Sequence, residues 1–125
     1  MRILLDTHIY LWWLTDSPRL SSTAKSTIQT ATEVYVSSAS IWEAGIKISV
    51  GKLEAEIDDL INGIEANGFT ELSITAKHAK QAARLPDIHR DPFDRMLVAQ
   101  TLCEPLRLLT ADEQVVKYSE LVDLV

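Results

Sequence analysis

Four acids, Asp6, Glu43, Asp94 and Asp112, recur where the chain is about to change from one element to the next. A fifth, Asp91, precedes Asp94 by one helical turn. Each is expected at or just past the carboxyl end of a strand, or in the opening turn of a helix. Carboxylates brought together at such places would repel one another unless a cation offset their charge. An oxygen-only donor set, with no Cys/His spacing of the zinc type, favours a hard ion, Mg²⁺ or Mn²⁺. Such ions accept phosphate oxygens and activate water, so phosphodiester hydrolysis is the chemistry that fits. Helix capping is the plainer alternative, because acids at helix N-termini are stabilised by the helix dipole. Ser40-Ile41-Trp42-Glu43 and Thr110-Ala111-Asp112-Glu113 are capping-box patterns, and Asp91-Pro92-Phe93-Asp94 is a close relative. Capping offers no reason for Asp6, which follows a short apolar strand.

The elements that must position these acids alternate along the chain. Strands are expected at Arg2–Leu5, Glu33–Ser37, Phe69–Leu72, Arg107–Leu109 and Leu121–Leu124, from their β-branched, aromatic and apolar content. Helices are expected from about Ile9 to Leu14, then at Ser21–Thr32, Ser40–Val50, Ala55–Ala66, Thr75–Arg84, Pro92–Cys103 and Ala111–Lys117. Gly51 and Asn67-Gly68 serve as stop signals, and Pro92 stands at a first helical position. Alternation of this kind implies an α/β fold with a mainly parallel sheet. Ligands of such folds bind outside the carboxyl ends of the strands, where the acids are expected.

A chain of 125 residues, 46% of them hydrophobic, fits one domain spanning residues 1–125 with a core of its own. Its single cysteine, Cys103, cannot form an internal disulfide and suits a reducing cytoplasm as a small buried hydrophobe. The run Met1–Leu5 is too short for a signal peptide, and nothing approaches the roughly 20 apolar residues of a membrane helix. A net charge of −6 argues against a protein that coats nucleic acid through a basic face. It leaves open an enzyme that meets nucleic acid through metal ions.

Four segments, in order, resemble the PIN-domain ribonucleases, and within them the VapC-like toxins of bacterial toxin–antitoxin pairs. ILLDTHIYLWWL is similar to the family's first strand and helix, with its first acid at Asp6. SSASIWEAGIKISVGKL resembles the segment of the second acid, Glu43. HRDPFDRMLVAQ resembles the third-acid helix, with Asp94 in the main position and Asp91 an accessory ligand or a cap. LLTADEQV resembles the segment of the fourth acid, Asp112. The resemblance implies a three-layer αβα domain with a parallel sheet of four or five strands. It further implies a Mg²⁺- or Mn²⁺-dependent endoribonuclease that is a homodimer, acts on RNA, and is silenced by a cognate antitoxin.

Accessory roles fall to Thr7, Thr110, Lys47 and Arg95. The two threonines could hydrogen-bond a carboxylate, and the two cations could steady a phosphate, orient a carboxylate or form plain salt bridges. His8, His78 and His89 form no ligand spacing. His78 is expected to be an ordinary surface or boundary residue, and His8 and His89 to lie near the acidic edge. Trp12 and Trp13 point about 100° apart on a helix, so both cannot bury against one face. Tyr10, Trp12, Trp13 and Trp42 are read as core by default, and one of the adjacent pair is expected to make a dimer or antitoxin contact, or less favourably to stack on an RNA base. A different class, a non-enzymatic switch of the phospho-receiver type, also gathers acids at a sheet edge. It needs paired acids after the first strand, an Asp after a middle strand and a Lys after a later one. Here Thr7-His8 follows Asp6, no Asp ends EVYVS, and LLTADE carries no lysine.

Overall fold

The computed structural model describes residues 1–125. Its chain order is β1 (Arg2–Leu5), α1 (Thr7–Leu14), α2 (Ser22–Thr30), β2 (Glu33–Ser37), α3 (Ser38–Ser49), α4 (Ile57–Ala66), β3 (Thr70–Leu72), α5 (Ala76–Arg84), α6 (Pro92–Cys103), β4 (Arg107–Thr110), α7 (Glu113–Val116) and β5 (Val122–Leu124). The five strands form one sheet in the order β3-β2-β1-β4-β5, and every pairing is parallel. All expected elements are present, with ends shifted by a residue or two. No helix is long and apolar enough to cross a membrane.

The central strands are buried on both faces, and their side chains alternate between two cores. Ile3, Leu5 and Leu109 face one cluster with Ile9, Tyr10, Ala24, Ile28 and Ile64 from α1, α2 and α4. Leu4 and Leu108 face the other with Ala39, Leu97, Val98 and Val115 from α3, α6 and α7. Helices therefore cover both faces, which gives the three layers expected.

Strand order also decides against the receiver-like alternative. Doubly wound sheets of that kind run 2-1-3-4-5. Here the chain moves outward from β1 through β2 to β3, then returns to place β4 on the other side of β1. The direction of winding reverses between β1 and β4, and a crevice opens there at the carboxyl edge. The register aligns the strand ends, with Leu5 opposite both Val36 and Leu109. Asp6, Ser37 and Thr110 consequently emerge side by side.

Local signals explain most element ends. Gly51 and Gly68 take φ of 76° and 74°, the left-handed conformation that ends α3 and α4 without a Cβ clash. Asp91 caps α6, its Oδ1 accepting from the amides of Phe93 and Asp94 at 2.9 and 3.0 Å. Two expectations fail. His78 is buried: Nδ1 accepts from the Thr75 amide at 3.1 Å and Nε2 lies 2.6 Å from Glu104. The histidine fills the place of the glutamate in a capping box, so its helix turns it inward. Cys103 is half-buried, with Sγ facing the Lys77 carbonyl.

Candidate active site

β1 delivers Asp6 to the crevice, and α1 starts at the very next residue. Asp6 thus occupies the N-cap position, contrary to the expectation that capping does not touch it. The helix begins at Thr7 instead of near Ile9 because the Asp6 carbonyl already accepts from the Tyr10 amide at 3.0 Å. Capping still leaves the side chain unexplained. Asp6 is only 5% exposed, which is costly for a carboxylate that serves only to cap. Oδ1 accepts from the Thr7 amide and Oδ2 from the Thr110 hydroxyl, both at 2.6 Å. Burial nevertheless pushes its carboxyl above the ordinary value; the Thr110 hydroxyl, His8 and the Thr7 amide pull the other way, and Glu43 adds to the rise.

Glu43 comes from the second turn of α3. That helix starts at Ser38, two residues earlier than expected, because Ser37 caps it by accepting from the Ala39 amide at 3.0 Å. Ser40 is therefore inside the helix, and the capping-box explanation of Glu43 fails. The Glu43 carboxylate is buried beside α1, where the Thr7 hydroxyl donates to Oε1 at 2.7 Å. Ser40 Oγ lies 2.9 Å from the same hydroxyl, and Lys47 reaches Glu43 Oε2 at 3.1 Å.

Asp94 stands in the first turn of α6, and its Oδ2 lies 2.8 Å from His89 Nε2. Its carboxyl is pushed up to about 7. Burial is the main cause, followed by repulsion from Asp6, with smaller contributions from Asp91 and Glu43 against the pull of His89. Asp112 caps α7 through the Gln114 amide at 2.8 Å. Its own amide donates to Thr110 Oγ1 at 3.1 Å, so one hydroxyl couples Asp112 to Asp6.

All five acids line one open cleft of about 550 Å³. His89, Asp94 and Asp112 each offer an atom within 4.8 Å of the others. Thr7 and Thr110 lie beneath the carboxylates as donors, and Lys47 is on the cleft wall. Arg95 is turned away. Its guanidinium donates to the carbonyls of Ala82, Leu85, Pro86 and His89 and to the Tyr118 hydroxyl, at 2.9 to 3.3 Å. It pins the loop before α6 and neither binds a carboxylate nor faces the cleft. Tyr118 holds the same loop, accepting from the His89 amide and donating to the His89 carbonyl, both at 2.8 Å.

Residues 3–121 match the family described as PIN domain. The chain belongs to the PIN-domain family. Ribonuclease VapC22 of Mycobacterium tuberculosis is 29% identical over 115 residues, covering 90% of this chain and 88% of that one. The PIN fold is shared with VapBC2 from Rickettsia felis, solved bound to a promoter DNA fragment (TM-score 0.72, 14% identity, 100% and 98% coverage). It is also shared with a toxin–antitoxin complex from Klebsiella pneumoniae (TM-score 0.69, 16% identity, 97% and 95% coverage). FitAcB from Neisseria gonorrhoeae is similar too, at TM-score 0.67 and 17% identity, with 98% and 96% coverage.

Within this PIN domain, the donor set fits a divalent cation. Carboxylates dominate it, and repulsion from Asp6, Asp91 and Glu43 adds to the rise that burial causes at Asp94. His89 is the site residue that sequence reasoning underweighted. Its place five residues before Asp94, across the Asp91-Pro92 helix start, was the available signal. An imidazole beside the oxygens keeps Mn²⁺ as well as Mg²⁺ within the fit, and departs from an oxygen-only set.

Proposed function

We propose that this PIN domain is a metal-dependent endoribonuclease and the toxin of a toxin–antitoxin pair. The observation that carries the reading is the convergence of Asp6, Glu43, Asp91, Asp94 and Asp112 on one cleft, with Asp94 raised to about 7 by its burial and then by its acidic neighbours. Family membership and the similarity to a protein named as a ribonuclease support RNA as the substrate.

Asp6, Glu43, Asp94 and Asp112 would hold Mg²⁺ or Mn²⁺, with Asp91 doubling as the α6 cap. When bound, the ion supplies the positive charge that lets a phosphodiester enter this acidic cleft and that activates water for attack on phosphorus. The chain's own part is pre-organisation. The Thr7 amide and the Thr110 hydroxyl fix both oxygens of Asp6, and the Thr7 hydroxyl with Lys47 fixes both oxygens of Glu43. Neither carboxylate has to reorient when substrate arrives. Lys47 also carries a positive charge on the cleft wall, placed to meet a phosphate.

A protein partner is supported by a solvent-exposed apolar stripe along α3, of which only Trp42 has an aromatic neighbour, Phe93. Trp42, Ile46 and Val50 follow one another at helical spacing and are 63%, 41% and 61% exposed. One of the structural relatives is a toxin–antitoxin complex, and another is VapBC2 bound to promoter DNA. We assign this chain a cognate antitoxin and a homodimeric state on those grounds, for sedimentation analysis alone and with a candidate antitoxin added. The activity itself is tested by incubating defined RNAs with EDTA, Mg²⁺ or Mn²⁺, comparing wild type with Asp6→Asn. Metal-stimulated cleavage by wild type alone is the expected result. Equal cleavage by both proteins would remove the acid cluster from the reaction.

A further inference from the structure

Next to the acidic cleft lies a second cavity of about 350 Å³, between α1 and the Lys52–Ala55 segment. The two share His8, Trp12 and Lys47 as a common wall. Their linings differ in character. Two of the twelve residues around the acidic cleft are hydrophobic, against six of eleven here, among them Leu11, Leu14 and Leu53. The dividing wall is a flat aromatic one. His8 and Trp12 stand one turn apart on α1, with ring centroids 5.9 Å apart and planes inclined by 27°. Trp12 packs at its base on the core containing Ile9 and Tyr10 and remains partly open to solvent.

Adjacent Trp13 takes the other direction, packing on Phe69 with Nε1 donating to Asn67 at 3.0 Å. Trp13 is thus accounted for by packing, whereas Trp12 is directed to the wall between the cavities. The cavity also has cations at its rim. Lys47 is held by Glu43, whereas Lys52 is exposed and forms no salt bridge. Glu54 is the acid in this lining.

We propose that this cavity is a nucleobase subsite for single-stranded RNA. It rests on the ribonuclease reading and specifies where the nucleotide next to the scissile phosphate goes. Three features select that occupant. The cavity is continuous with the carboxylate cleft, so a chain whose phosphate enters the cleft places its neighbouring base at Trp12. The wall is an aromatic face formed by His8 and Trp12, the kind of surface on which bases stack with little regard to sequence. The rim carries an unpaired lysine where the next phosphate of the strand would pass, in a protein that is otherwise acidic.

The test uses the full chain with Mn²⁺ and two readouts. In the first, a short RNA cut by wild type is compared with versions bearing an abasic ribose on either side of the cut. Trp12→Ala should lower kcat/KM about tenfold on intact RNA, the scale of one lost stack, and far less on the abasic version that already lacks the base. Trp12→Phe, which keeps an aromatic face, should recover most of the discrimination between the two RNAs. In the second readout, the three indole N–H resonances are followed during titration with adenosine and uridine 5′-monophosphates. Trp12 should shift and saturate while Trp13, engaged with Asn67, stays still. Cleavage by wild type with no response at Trp12, and equal losses for Trp12→Ala on intact and abasic RNA, would overturn the subsite and leave the ribonuclease reading standing. Saturable nucleotide binding at Trp12 in a protein that cuts no RNA with any metal would do the reverse.

Discussion

Thr110 and Asp6 stand 104 positions apart in the chain, and the Thr110 hydroxyl donates to Asp6 Oδ2 at 2.6 Å. The same oxygen of Thr110 accepts from the Asp112 amide, so one small side chain at the end of β4 orients two acids across the crevice. Thr110→Val keeps the shape and removes both bonds. Loss of a hydrogen bond to a buried charge costs about 1.5–3 kcal/mol. Metal affinity should also fall about 10- to 100-fold, the usual effect of removing a group that orients a ligand. Thermal unfolding and Mn²⁺ titration read the two effects separately. Thr110→Ser should restore most of both, and a Thr110→Val protein with wild-type metal affinity would show that the hydroxyl does not organise the site.

Asp94 yields the opposite stability effect. Its charge is held against burial and against three neighbouring carboxylates. Asp94→Asn should therefore stabilise the metal-free protein while lowering metal-stimulated cleavage on the order of a hundredfold or more. A melting temperature that rises as activity disappears is the expected pairing. Full activity in the variant would exclude Asp94 from the cluster that works.

The pH dependence follows from the same crowding. Asp94 is raised from 3.8 to about 7 and Asp6 is raised as well, while the unfolded chain keeps ordinary carboxyl values. Between those limits the folded state binds more protons than the unfolded one, so stability falls as pH rises. The cost of the charged forms is full above pH 7 and is relieved as pH drops towards 4. Glu33, held below its usual value by Tyr35 and Arg2, acts in the opposite sense only beneath about 4.5. In EDTA the protein should melt higher at pH 5.5 than at pH 8, and Mn²⁺ should reduce that difference by stabilising most at pH 8. Calorimetry across the two buffers decides it; a metal-free protein that is more stable at pH 8 would contradict the arrangement.

Arg95 holds the loop before α6 through four carbonyls and the Tyr118 hydroxyl. Arg95→Leu should destabilise the fold by about 1–2 kcal/mol, as expected where several part-buried acceptors lose their donor at once. Arg95→Lys should rescue little, since one ammonium cannot span the planar array that a guanidinium reaches. Hydrogen exchange localises the effect, with protection lost first at His89 and the start of α6. Uniform loss across the chain would show that Arg95 supports the whole fold and not this loop.

Much of this was legible from residue order. Short apolar runs followed by an acid placed Asp6 and Asp112 beside strand ends, and Pro92 placed Asp94 in an opening turn. The errors arose where a helix began earlier than its periodic pattern. Ser37 caps α3 from inside the strand's last position, which moves Glu43 out of the first turn and away from any capping role. Asp6 passes directly from strand to helix, which local patterns do not show because Thr7 and His8 are weak helix formers. Arg95 and His78 were misread for a different reason. Their partners, backbone carbonyls at 82–89 and Glu104 on a neighbouring helix, are fixed by tertiary packing and leave no trace in sequence spacing. The adjacent tryptophans were half legible: that they diverge follows from helix geometry, but which one meets the cleft required the fold.

The winding reversal between β1 and β4 also sets when the cleft can assemble. The first acid emerges at position 6 and the last at position 112, and β4 must dock on β1 before Thr110 can reach Asp6. A growing chain on the ribosome carries Asp6 and Glu43 through most of its synthesis without a usable centre. The carboxylate cleft is therefore assembled only once the segment around Asp112 has left the exit tunnel and β4 has paired with β1.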